Sequence, residues 1–352
     1  MSRMRESCTR PVRTLVVDDA PLMRRAIPEI LNKYPEIEVV GTAANGQECL
    51  AKILELSPHV VTLDIDMPVM NGITTIKNIM VRHQIPIVII SSMIQDGYFA
   101  FEALRLGVVD FVPKPSGASS ADIVHEEELI CKRVRAASEM HVQCVRRVRL
   151  RKKPTMPSTS QSSTPSAVVA VGTTLAGPNT IMHILSHLED HFSGAIVCLQ
   201  EIHPKILASF SSRFSEITAL EVVPVISTCP LRPGTVYMAS TSTGVRIEAL
   251  PGDPSEFVLQ LAEADSPIDK LFQSAAVHFG ENSCGVLLSG VGTDGAEGLR
   301  KIKEHGGLTL AQQQDCCVYP NLVQHAVEQE VVDNVLPESA ISNCLDTWIK
   351  SR

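Results

Sequence analysis

The stretch HVVTLDIDMPVMNG, His59 to Gly72, decides the fold of the first part of this chain. Its opening residues are apolar and β-branched at consecutive positions, as a strand buried on both faces should be. The strand ends on Asp64, and GITTIKNIMVRH from Gly72 then carries apolar residues at helical spacing. Working outward, the same alternation recurs. TLVVDD (Thr14–Asp19), IEVVGTA (Ile37–Ala43), PIVIISS (Pro86–Ser92) and VDFVPK (Val109–Lys114) read as strands. MRRAIPEILNKY, NGQECLAKILEL and YFAFEALRLG read as helices between them. Five such repeats predict an α/β fold with a five-stranded parallel sheet of the flavodoxin-like kind. Its ligand site is expected at the carboxyl ends of the strands.

Those ends carry chemistry. Asp18 and Asp19 close the first strand and Asp64 the third, so three carboxylates are expected in one crevice. Like charges so close repel unless a cation lies among them, and oxygen-only ligands on an open site suit Mg²⁺. Ser91 closes the fourth strand and Lys114 follows the fifth. A hydroxyl, an ammonium and a metal around a carboxylate equip the pocket for phosphoryl transfer onto that carboxylate.

At 352 residues the chain has room for a second domain. A net charge of −8 argues against nucleic-acid binding, and no run is apolar enough for membrane insertion. Residues 1–12 read as a basic tail with no apolar stretch behind it, not a signal peptide. The ten cysteines are scattered without a C-x-x-C, which predicts reduced thiols in a cytoplasmic protein. The domain plan is a first domain over 13–135, a linker over 136–166 and a second domain over 167–352. The linker is basic at first, either a docking patch or a solvated helix end, and then Ser/Thr/Pro-rich from Pro154.

The second domain reads as another doubly wound α/β unit. Its strands are AVVAVG, GAIVCLQ, EVVPVI, TVYMAS, GVRIEAL, CGVLLSG and LTLAQQ. VAVGTTLAGPNT (Val169–Thr180) is a strand running through a Gly-bracketed turn into a helix, a geometry that can present a nucleophile.

The motifs VVDD, LDIDMPVMNG, IISS and VPKP resemble those of response-regulator receiver domains. The resemblance implies that Asp64 is the phosphoacceptor and that Asp18, Asp19 and Asp64 hold Mg²⁺. It also implies switch roles for Ser91 and Phe111 and a phosphoryl contact for Lys114. Downstream, VGTTLAG, IVCLQEIHP, PGTVYMA, SPIDKLFQSAA, GVLLSGVGTDGAEG and LAQQQDCCVYPN resemble, in order and spacing, the CheB family of chemotaxis protein-glutamate methylesterases. This implies a cytoplasmic response regulator and a C-terminal CheB-type methylesterase domain. Its expected partners are a chemotaxis-type sensor histidine kinase and methyl-accepting chemoreceptors, whose glutamate methyl esters and glutamines the family demethylates and deamidates.

The family resembles serine hydrolases with a Ser, a His and an Asp in concert. Here Thr174 stands at the serine position, Glu201 at the histidine position and Asp294 at the aspartate position. Asp294 reads equally as an Asp-Gly turn. Thr174 adds a methyl that stiffens χ1, and a carboxylate of ordinary pKa is a weak base for a hydroxyl. His203 is a substitute base only if the chain bulges. In a continued strand its ring lies about 6.5 Å from the lost one, beyond the roughly 3 Å that proton transfer requires. Two functions are therefore carried forward. One is the family's ester hydrolysis; the other is a catalytically silent regulator acting by phosphorylation-switched binding to receptors or kinase.

Overall fold

The computed structural model describes residues 10–91, 97–108, 110–115, 120–145, 164–250 and 252–352. Most of the expected tail and linker, residues 1–9 and 146–163, lies outside them. The chain divides into two compact units, residues 1–94 with 108–142, and 95–107 with 143–352.

The first unit is built on strands β1 (Val12–Val17), β2 (Ile37–Ala43), β3 (Val60–Leu63), β4 (Ile87–Ser91) and β5 (Asp110–Pro113). All pair in parallel, in the order β2-β1-β3-β4-β5. Helices α1 (Pro21–Leu31), α2 (Gly46–Leu56) and α3 (Gly72–Arg82) join the first four in turn and α5 (Ser120–Ser138) follows β5, while α4 (Gly97–Arg105) belongs by its contacts to the second unit. Asn45 starts α2 by accepting the Glu48 N–H at 3.0 Å, and Glu48 accepts the Ala44 N–H at 2.8 Å, a reciprocal cap. Asn71 caps α3 through the Thr74 N–H. Glycine is required at position 72, where a Cβ would lie 2.6 Å from the Ile65 Cα. The order reverses between β1 and β3, which opens a crevice at their carboxyl ends.

The second unit carries β6 (Val168–Gly172), α6 (Gly177–Leu185), β7 (Ala195–Gln200), α7 (Pro204–Phe214), β8 (Glu221–Pro224), β9 (Cys229–Pro230) and β10 (Thr235–Ser240). β11 (Val245–Leu250), β12 (Asp253–Leu261), α8 (Pro267–Phe279), β13 (Ser283–Leu287) and α9 (Ala296–Glu304) follow. The chain then closes through β14 (Leu308–Gln312), α10 (Asn321–Glu328), β15 (Asn334–Leu336) and α11 (Glu338–Ile349). Seven strands form one parallel sheet, β15-β14-β13-β6-β7-β10-β8. The chain builds outward from β6 on one side and returns to its other side at β13, so the crevice opens between the ends of β6 and β13. Val197 and Leu199 of β7 pack with Phe272 of α8 and Leu299 of α9 in a fully buried core.

GVRIEAL, counted above among the strands of the doubly wound domain, lies outside the parallel sheet. As β11 it pairs antiparallel with β12, which in turn pairs with β9, in a separate three-stranded sheet. The reason is alternation: Val245 and Ile247 are buried while Arg246 and Glu248 are half-exposed, the pattern of a sheet with one wet face.

Candidate functional site

In the first unit, the strand-end side chains converge as the topology demands. Asp18 and Asp64 are buried and Asp19 is exposed, and one carboxylate oxygen from each lies within 4.8 Å of the others. Lys114 Nζ bridges two of them, 2.8 Å from Asp18 Oδ2 and 2.8 Å from Asp64 Oδ2. Backbone amides take the remaining oxygens: Asp18 Oδ1 accepts the Ala20 N–H at 2.9 Å and Asp64 Oδ1 the Ile65 N–H at 2.8 Å. Burial pushes the Asp18 carboxyl up, and the bonds from Lys114 and Ala20 only partly offset this. The Lys114 ammonium is pulled down by burial, but its bonds to Asp18 and Asp64 outweigh that and hold it above its ordinary value.

One lysine offsets one of three negative charges. The residual like-charge repulsion at such separations is roughly 3 kcal/mol per pair, so the trio fits a divalent cation held by oxygen ligands. Ser91 is buried at the end of β4, and its carbonyl accepts the Lys114 N–H at 3.2 Å, which ties the two strand ends together. Phe111 is half-buried on β5, opposite Ile89 of β4. Arg24 was not singled out from the sequence. Its guanidinium donates to the carbonyls of Asp18 and Asp19 at 2.8 and 2.7 Å, fixing the acidic turn from one turn into α1.

In the second unit, the elbow after β6 faces the loop after β13. Thr173 is buried and donates to the Ser289 carbonyl at 2.5 Å. A Cβ at Gly177 would lie 1.9 Å from the Thr173 Oγ1, so this glycine is demanded by close approach. Ala176 sits at φ 59°, a left-handed conformation that costs a non-glycine residue about 1 kcal/mol. The facing loop is braced from beneath. The Ser289 N–H donates to Gln312 Oε1 at 2.9 Å, Gln312 Nε2 donates to the Cys316 carbonyl at 3.0 Å, and the Gly290 N–H donates to the Tyr319 carbonyl at 3.0 Å.

The hydroxyl of Thr174 is held entirely by this loop. It accepts the Val291 N–H at 2.7 Å and donates to the Val291 carbonyl at 3.1 Å. Among the described residues no hydrogen bond joins Thr174 to Glu201, His203 or Asp294. β7 stops at Gln200, so Glu201 and His203 stand in the short connection to α7. His203 is the N-cap of α7, with Nδ1 accepting the Lys205 N–H at 3.2 Å. Partial burial, and then Lys205, lower its pKa. Asp294 accepts the N–H groups of Ile268 and Asp269, each at 2.9 Å. Burial raises its pKa above the ordinary carboxylate value, against the pull of those amides.

A parallel-sheet receiver with an acidic strand-end trio, followed by an α/β domain with a threonine elbow, defines a response regulator with an enzyme-type output domain. Residues 14–125 match the model of the response regulator receiver domain, and residues 169–345 match that of CheB methylesterase. The chain belongs to the CheB family. It is 34% identical over 353 residues to protein-glutamate methylesterase/protein-glutamine glutaminase 2 of Koribacter versatilis, covering 96% of each chain. It is 33% identical over 342 residues to the protein-glutamate methylesterase/protein-glutamine glutaminase of Geobacillus kaustophilus, covering 94% of this chain and 97% of that one. Among solved structures it is similar to the Thermotoga maritima CheB methylesterase catalytic domain, at 26% identity and a TM-score of 0.47. That match covers 53% of this chain and 98% of the other.

Proposed function

We propose that this CheB-type regulator is switched by phosphorylation of Asp64 and works on chemoreceptors. Asp18, Asp19 and Asp64 would hold Mg²⁺, which supplies charge neutralisation for an incoming phosphoryl group. The observation that carries the reading is the Lys114 bridge between Asp18 and Asp64, an ammonium already placed where phosphoryl oxygens would gather. Ser91 and Phe111 are the switch pair. The phosphoryl donor is a chemotaxis-type sensor histidine kinase, and the protein works in the cytoplasm. Among the described residues no helix is long and apolar enough to cross a membrane.

Relatives named protein-glutamate methylesterase/protein-glutamine glutaminase supply the first reading of the output: demethylation of receptor glutamate esters and deamidation of glutamines. In that reading Thr174 is the nucleophile, Asp294 the acid and Glu201 or His203 the base. In a second reading, which rests on the bonds of Thr174, the domain binds receptor or kinase with little turnover. The Thr174 proton lies on a backbone carbonyl, and its lone pair occupies the Val291 N–H, a donor suited to an oxyanion. The imidazole that a hydroxyl nucleophile requires is replaced by a carboxylate at Glu201.

The receiver assignment is tested with acetyl phosphate as donor. Labelling is expected to require Mg²⁺ and to stop on addition of EDTA. Equal labelling with the chelator present would overturn the acidic trio as a metal site.

A further inference from the structure

Two helix starts in the second unit are bound to each other by exchanged acids. Asp294, just before α9, takes the free N–H groups of Ile268 and Asp269 in the first turn of α8, both at 2.9 Å. Asp269, in that same turn, takes the N–H groups of Gly295 and Gly298, the first turn of α9, at 3.0 and 2.7 Å. A helix start leaves donors unpaired and concentrates positive partial charge, so each anion sits where it is most stabilising. Neither helix is capped by its own chain end. Ser266 makes no side-chain bond to α8, and Gly295 has no side chain with which to cap α9. The contact is close, since a Cβ at Gly298 would lie 2.9 Å from the Asp269 Cα. Burial raises the carboxyls of both acids; the Glu297 charge adds to the rise at Asp269, and the Asp269 charge adds to that at Asp294.

We propose that Asp269 is a positioning residue for the Thr174 mouth. Through Gly295 and Gly298 it anchors the near end of the Ser289–Gly295 loop, and Gln312 anchors the far end. Between those anchors lies Val291, whose backbone holds the Thr174 hydroxyl. The inference needs only that this mouth is the working face of the domain, and holds whether or not an ester is hydrolysed there.

Amide hydrogen exchange on the full chain, followed residue by residue by NMR, tests it. Asp269→Ala is expected to speed exchange at Gly295, Gly298 and Val291 by about tenfold or more, while the inner strands β6 and β13 stay protected. Asp269→Asn keeps an acceptor oxygen and removes the charge. It is expected to restore protection at all three amides and to move the Asp294 carboxyl titration down, towards the ordinary aspartate range. Unchanged Val291 exchange in Asp269→Ala, or acceleration no greater than in β6 and β13, overturns the proposal. Should the alanine variant not fold, an unmoved Asp294 titration in Asp269→Asn overturns it alone.

Discussion

The double substitution Thr174→Ser with Glu201→His is expected to raise receptor methyl-ester hydrolysis by roughly a thousandfold or more, far beyond the product of the single effects. Triad members act as a unit: a hydroxyl without a base, or a base without an unhindered hydroxyl, recovers little. Each single change is therefore expected to stay within about tenfold of the parent chain, the range of a modest binding or packing effect. Asp294 is half-buried and held by two backbone amides, and each of its oxygens has a further lone pair for an imidazole. The Val291 N–H, now occupied by Thr174, becomes available to an oxyanion once a serine can turn towards its base. Initial rates for the four chains of this cycle, on one methylated receptor fragment, decide the matter. If either single change matches the double, the missing parts are not the ones named here.

Asp64→Asn is expected to abolish labelling by acetyl phosphate, whose product on the parent chain should be acid-stable and base-labile. An amide is a far poorer nucleophile than the carboxylate it replaces, and the metal loses one of three charged ligands. Loss of fold is not the expected cause. The substitution removes one negative charge from a partly buried cluster in which Lys114 offsets only one of three, so thermal stability should hold or rise. Peptide mapping of the labelled protein checks the site, and undiminished labelling of the variant would remove Asp64 from the mechanism.

The receiver site was legible from sequence because each of its side chains sits at the end of an unbroken apolar strand. VVDD, LDI, IIS and VPK mark the ends of β1, β3, β4 and β5, and a parallel sheet must bring those ends together. The elbow was legible for the same reason. What remained hidden depends on partners far apart in the chain. Asp269 caps a helix that begins more than twenty residues later, and Gln312 braces Ser289 from a neighbouring strand; no local pattern marks either. Arg24 carried a weak local signal, a long donor one helical turn beyond an acidic strand end. The alternation of Val245–Leu250 marks a strand with one wet face but names no partner, and β12 begins DPSE, which reads as a turn. His203 shows a limit of another kind. Where β7 stops has no local mark, and the Pro204 that starts α7 makes the histidine its N-cap.

The most direct test of the account is the turnover of the unmodified chain on a methylated chemoreceptor, with Asp64 phosphorylated and methanol release followed. The low-turnover reading of the output domain predicts release close to the uncatalysed background, together with Mg²⁺-dependent labelling of Asp64 in the same sample. Release at an ordinary enzymatic rate, about 1 s⁻¹ or faster, would contradict it and show that Thr174 finds a base that its bonds to Val291 do not reveal.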